Sequence, residues 1–140
     1  MSSGMGDYST GLTILLRSGA MHNMDPDLAL TMTQEALGQG YMVRLFLYSE
    51  GVTNLKNAMA PKRFPNIARQ LEELLRVYGP GSVLSAKLGL VPLKVAACRT
   101  CTGARGLVEG EQVPGIEIGS LTRHLAEFVS QTQRFVTLAR

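Results

Sequence analysis

Cys98 and Cys101 are the chain's two cysteines, set three residues apart where the largely apolar run Leu93-Lys94-Val95-Ala96-Ala97 gives way to polar residues. A Cys-x-x-Cys at the carboxyl end of a strand, opening a helix, puts both thiols on one helix face. There they are close enough for a disulfide, or for a persulfide sulfur to pass from one to the other. Backbone N–H groups at the helix start, with Arg99 and Arg105 nearby, are expected to lower a thiol pKa and raise the thiolate fraction at neutral pH. Cys98, nearest the strand end, is then the favoured nucleophile.

Three other readings of the pair remain open on spacing alone. Both thiols can be small buried hydrophobes. They can be half of a zinc site, for which only His22 and His124 would complete the set within one chain. They can also form a dithiol–disulfide couple, although the aromatic and proline company of a thioredoxin-type motif is missing.

Other residues reach the same chemistry only if the fold brings them there. Glu50, followed by Gly51, lies in the loop after a strand, where an acid can hold a proton or pair with Arg105; a solvated acid beside a turn glycine is the plain alternative. His22 belongs to the loop after the first strand, on the same sheet edge if the strands are parallel. His124 falls beside an apolar helical stripe and reads as a surface histidine. Met21, Met24 and Met32 read as loop and core packing rather than ligands, and Ser18-Gly19 is too poor a loop to cradle a mononucleotide phosphate.

The elements that position these residues follow from periodicity. Leu12 to Arg17 and Met42 to Tyr48 are nearly continuous apolar runs, the pattern of strands buried on both faces of a parallel sheet. Between them Asp25-Pro26-Asp27 opens a helix to about Leu37, with Asp25 as cap and Gly38 and Gly40 as stop. Ser49 to Asn54 reads as a loop, and Leu55 to Met59 as a helical turn before Pro61. From Asn66, the spacing of Ile67, Leu71, Leu74, Leu75 and Tyr78 predicts a helix that Gly79-Pro80-Gly81 breaks, and Val83 to Leu88 a second short one. Leu93 to Ala97 is the third strand, Ala104 to Val108 begins a short helix, and Ile116 to Ile118 is a fourth strand. Ser120 caps a last helix with Leu121, Leu125, Phe128 and Val129 in its core stripe, before a fifth strand over 135–138.

Composition limits the function classes. The 140 residues suit a single α/β domain over 11–140 behind a flexible lead of residues 1–10. Hydrophobic residues at 45% and charged residues at 18% argue against disorder. The net charge of +3 comes from Lys and Arg interleaved with acids rather than gathered into a stripe, which argues against nucleic acid. The apolar block Leu12 to Leu16 is too short for a signal-peptide core, and no later run approaches a membrane span. Two close cysteines without a disulfide framework point to a reducing compartment, the cytoplasm by default.

Three segments, Arg44-Leu45-Phe46-Leu47-Tyr48-Ser49-Glu50-Gly51-Val52-Thr53, Cys98-Arg99-Thr100-Cys101-Thr102-Gly103-Ala104-Arg105-Gly106 and Gly115-Ile116-Glu117-Ile118-Gly119-Ser120-Leu121, stand in this order. On them the chain resembles the DsrE/DsrF-like sulfur-relay family, in particular its YchN-type branch, from Leu12 to Leu138. The resemblance implies a three-layer α/β/α fold, a five-stranded, mainly parallel sheet of order 4-3-2-1-5, and assembly into homotrimers or hexamers. It also implies a sulfur carrier of sulfurtransferase type, with donor and acceptor proteins as partners. Sulfane sulfur would be held as a persulfide on the cysteine eight residues before the Arg-Gly glycine, which counts back from Gly106 to Cys98. Cys101 matches the second thiol of the YchN-type motif. The competing reading is a non-enzymatic oligomeric module with structural or redox-sensing thiols. The segment from Pro65 to Gly89 is longer than the family's usual single helix, so an extra helix is expected there, covering the thiols or remodelling a subunit contact. No cofactor, metal or membrane is expected.

Overall fold

The structure is a computed structural model and describes residues 6–20, 23–56, 66–107 and 112–138. Five strands form one sheet: β1 (Gly11–Leu16), β2 (Met42–Leu47), β3 (Leu93–Cys98), β4 (Glu117–Gly119) and β5 (Arg134–Leu138). Their order is β4-β3-β2-β1-β5 and every neighbouring pair is parallel. This is the order that the resemblance implies. Ahead of β1, the Tyr8 amide donates to Gly40 O at 2.8 Å and its hydroxyl to Leu37 O at 3.1 Å.

Handedness decides which helices lie on which face. From β1 to β4 the chain steps across the sheet in one direction, so right-handed crossovers place the connecting helices on one side. They include α1 (Asp25–Gly38), α2 (Ile67–Tyr78) and α3 (Val83–Leu88). The step from β4 to β5 runs back across the whole sheet, and the same handedness carries α5 (Ala126–Gln131) to the opposite face.

The two faces are covered unequally. On the first, Ile14, Leu16, Leu45, Leu47, Val95 and Ala97 pack with Leu30 and Leu37 of α1 and Ile67, Leu71 and Leu75 of α2. On the second, Phe46, Ala96 and Cys98 meet Phe128 of α5, with Leu15, Tyr48, Leu121 and Leu125 half-buried around them. Phe46 and Phe128 touch edge to face, with ring centroids 6.4 Å apart. Cys98 thus belongs to the smaller, aromatic core.

Arg44 interrupts the apolar run of β2 on this second face and is only 4% exposed. Its Nε donates to Gln131 Oε1 at 2.8 Å, and its Nη1 donates to Val91 O at 2.9 Å and Pro92 O at 3.3 Å. Burial pushes its pKa down to about 10, which leaves it charged at neutral pH. One cation therefore ties the end of α5 and the loop before β3 to the middle of the sheet.

Several boundaries differ from expectation for local reasons. Asp25 is inside α1; Asn23 Oδ1 accepts its amide at 2.8 Å, and Ser18 Oγ donates to its carboxylate at 2.8 Å. Ser49–Leu55 is a 3₁₀ helix rather than a loop. The helix expected from Ala104 instead starts at Arg99 and ends at Ala104, as α4 (Arg99–Ala104), with the left-handed Gly106 (φ +66°) just beyond its end. The last helix opens with a π turn, Leu121–Leu125, whose extra residue rotates the stripe. Phe128 is consequently 1% exposed, and Val129, expected in the core, is 43% exposed. The extra helix α3 packs on α2, in the layer across the sheet from Cys98, so it does not cover the thiols. The expected turn over residues 55–59 and the expected helix end at Val108 run into segments outside the described residues, as do residues 1–5.

Candidate functional site

The site is built where β2 and β3 end. Cys98 is the last residue of β3 and the residue before α4, in extended backbone (φ −65°, ψ 123°). Its side chain turns under Phe46 and Phe128 and is 6% exposed. Cys101, one helical turn on, is half-buried and packs against both cores. Both are free thiols, and the neighbouring Cys98 is among the causes that raise the Cys101 pKa.

A main-chain group completes the pair. The Ser49 amide donates to Cys101 Sγ at 3.2 Å. Ser49 has φ +55°, a left-handed conformation that a non-glycine residue adopts only under constraint. The constraint is visible on both sides. Before it, the Tyr48 amide donates to Leu16 O at 3.1 Å, and after it the Gly51 amide donates to Tyr48 O at 2.9 Å. Gly51 lies so close to β1 that a Cβ there would stand 2.1 Å from Leu16 O. Asn54 Nδ2 adds bonds to Ser18 O at 3.1 Å and Gly51 O at 2.9 Å. Gly51 thus acts from behind: it lets the 3₁₀ helix press on β1, and that contact aims the Ser49 amide at sulfur.

Glu50 and Arg105, distant in sequence, are brought together. Arg105 Nε donates to Glu50 Oε1 at 2.8 Å, and its Nη1 donates to Cys101 O at 3.2 Å. The pair braces the end of α4 against the 3₁₀ helix around Cys101. Arg99 does not join it. The Arg99 Nη2 donates to Ile118 O at 2.9 Å, which commits its charge to β4 instead of the thiols.

The electrostatics at Cys101 also differ from expectation. Burial pushes its thiol pKa up, and the neighbouring Cys98 thiol pushes the same way; the Ser49 amide and Arg105 oppose them. Proximity of arginines does not prevail, since Arg99 faces away and Arg105 is already paired to Glu50.

His124, expected at the surface, is largely enclosed, with a side chain 22% exposed. Its ring occupies the space over Gly119, where a Cβ would lie 2.0 Å from Cε1. Gly119 is the β4 partner of Cys98, so the imidazole sits one strand over from that thiol. Nδ1 accepts the Ser120 amide at 3.2 Å, and Nε2 lies 3.5 Å from Glu117 Oε2. The Ser120-to-His124 spacing was the available signal for this enclosure. Nothing in the sequence marks Ser49, whose role is carried by its backbone. His22 and Met21 lie outside the described residues.

Known proteins share this arrangement of elements. The ychN protein from E. coli superposes with a TM-score of 0.67 at 23% identity, covering 92% of this chain and 99% of that one. A protein of unknown function from Methanobacterium thermoautotrophicum, MTH1491, superposes with a TM-score of 0.56 at 14% identity, over 89% of this chain and 98% of that one. In sequence, the uncharacterized protein MK0008 of Methanopyrus kandleri is 28% identical over 108 residues, 77% of each chain. The profile of the DsrE/DsrF-like family matches residues 11–138, which takes in every strand and both cysteines. The chain is a member of the DsrE/DsrF-like family.

Proposed function

We propose that this protein carries sulfane sulfur as a cysteine persulfide on the Cys98–Cys101 pair and passes it to a partner protein. The observation that carries the reading is the pair of free thiols one helical turn apart at the carboxyl end of β3, with Cys101 receiving a backbone amide. Membership of a sulfur-relay-related family supports it. A thiolate attacks the terminal sulfur of a donor persulfide and displaces the donor thiol; the reverse step delivers the sulfur to an acceptor thiol. The Ser49 amide and Arg105 supply the hydrogen bond and positive charge that favour an anionic sulfur beside them. Working assembly as a homotrimer or hexamer, with separate donor and acceptor proteins, is part of the same proposal. Among the described residues no helix is long and apolar enough to cross a membrane.

The test is sulfur loading followed by discharge. After incubation with a sulfane-sulfur donor, the wild-type protein gains about 32 Da, one sulfur atom, and releases it to cyanide as thiocyanate. The double variant Cys98→Ser/Cys101→Ser gains nothing. A wild-type protein that takes up no sulfur refutes the proposal. The upward push on the Cys101 pKa favours the second reading, a module whose thiols are structural or sense redox state; a reversible Cys98–Cys101 disulfide without sulfur uptake would select it.

A further inference from the structure

The two thiols are not equivalent in access. Cys98 is walled by Phe46, Ala96 and Phe128, with Leu121 and Leu125 packed beside them. Cys101 is half-buried, and the Ser49 amide orients its sulfur at 3.2 Å. Sulfur transfer requires the attacking sulfur, the moving sulfur and the leaving sulfur to approach a line. A donor carrying its own side chain or protein body has better access to half-buried Cys101 than to Cys98, which is packed among Phe46, Ala96 and Phe128.

Resting on the persulfide reading above, we propose that sulfane sulfur enters at Cys101 and is handed inward to Cys98, which stores it beneath Phe46 and Phe128. In the first step Cys101 Sγ bonds the outer sulfur of a donor persulfide, the donor S–S bond breaks, and the donor thiol leaves with the Cys101 proton. In the second, Cys98 Sγ bonds that outer sulfur, the Cys101 S–S bond breaks, and the Cys98 proton returns to Cys101. Each step exchanges one S–S bond for another, and nothing is oxidised or reduced overall. The Ser49 amide serves the second step in particular, because negative charge builds on Cys101 Sγ as it leaves. Burial of Cys98 against apolar side chains then keeps the sulfur from small thiols until a partner opens access.

Arg99 lies between the two cysteines, so tryptic cleavage there separates them onto different peptides. The experiment treats the wild-type protein, Cys98→Ser, Cys101→Ser and Cys101→Ala with glutathione persulfide, quenches with iodoacetamide at intervals and follows the added sulfur by peptide mass. The wild type should label first on the Cys101 peptide and later on the Cys98 peptide. Cys98→Ser should label at Cys101 at the wild-type rate, and both Cys101 variants should label at Cys98 about tenfold more slowly or worse. First appearance on Cys98 in the wild type, or undiminished labelling of Cys98 in both Cys101 variants, overturns the entry order and leaves the persulfide reading standing. Absence of sulfur from both peptides removes that reading, and the entry order with it.

Discussion

Replacing Gly51 by alanine tests the chain of contacts that aims the Ser49 amide. The new Cβ would stand 2.1 Å from Leu16 O and 2.9 Å from Leu16 C, both backbone atoms of a central strand. Relief requires the 3₁₀ helix to withdraw by about 1 Å, the gap to an ordinary carbon–oxygen contact. That movement stretches the Tyr48-to-Leu16 and Asn54-to-Ser18 hydrogen bonds, both 3.1 Å in the native fold. Overpacking costs about 1–3 kcal/mol and the two stretched hydrogen bonds together about 1 kcal/mol, for an expected loss of about 2–4 kcal/mol. At roughly 3 °C per kcal/mol for a domain of this size, the melting temperature should fall by about 6–12 °C. Gly103→Ala, in α4, is the matched control: nothing lies within 4 Å of its added Cβ, and alanine in a helix gains about 0.5–1 kcal/mol. Thermal and urea unfolding of the two variants read the difference. A Gly51→Ala protein within about 0.5 kcal/mol of wild type would refute the close-packing argument and the placement of Ser49 that depends on it.

Two further outcomes follow from the same geometry. Arg44→Ala should destabilise by about 2–4 kcal/mol in urea unfolding, because it leaves Gln131 Oε1 and the Val91 and Pro92 carbonyls without their buried donor; a loss under about 1 kcal/mol would show that water replaces the guanidinium. The thiolate of Cys101 is the reactive form and its pKa is raised, so the midpoint of its alkylation rate against pH should lie above that of an ordinary thiol. In Cys98→Ala that midpoint should move down, since one cause of the upward push is removed. A wild-type midpoint at or below the ordinary thiol value would contradict the burial of this sulfur.

Much of the scaffold was legible in the chain because its signals are local. β2 reads as apolar over nearly its whole length because both faces are covered, and Arg44 could be noticed as the exception but not explained, since its acceptors lie on α5 and the loop before β3. Asn66 and Ser82 cap α2 and α3, and Ser120 opens the last helix, each through a side chain that accepts an amide three residues on. The π turn escaped because its pattern of apolar residues also fits an ordinary helix, and only packing on the sheet chooses the rotation.

The same division holds at the site. Residue types and spacing determined that two thiols share one face of a helix at a strand end, that Gly51 is a turn glycine after Glu50, and that a parallel α/β domain surrounds them. Tertiary structure decided the rest: which thiol is enclosed, that Arg105 pairs with Glu50 across 55 residues while Arg99 turns to β4, and that Ser49 offers its amide to Cys101. The physical reason is that spacing along a chain fixes neighbours within a turn or a strand. Burial, charge pairing and the aim of a backbone N–H depend on which distant segments pack together, and here the return of the chain from β4 to β5 is what lays α5 over Cys98.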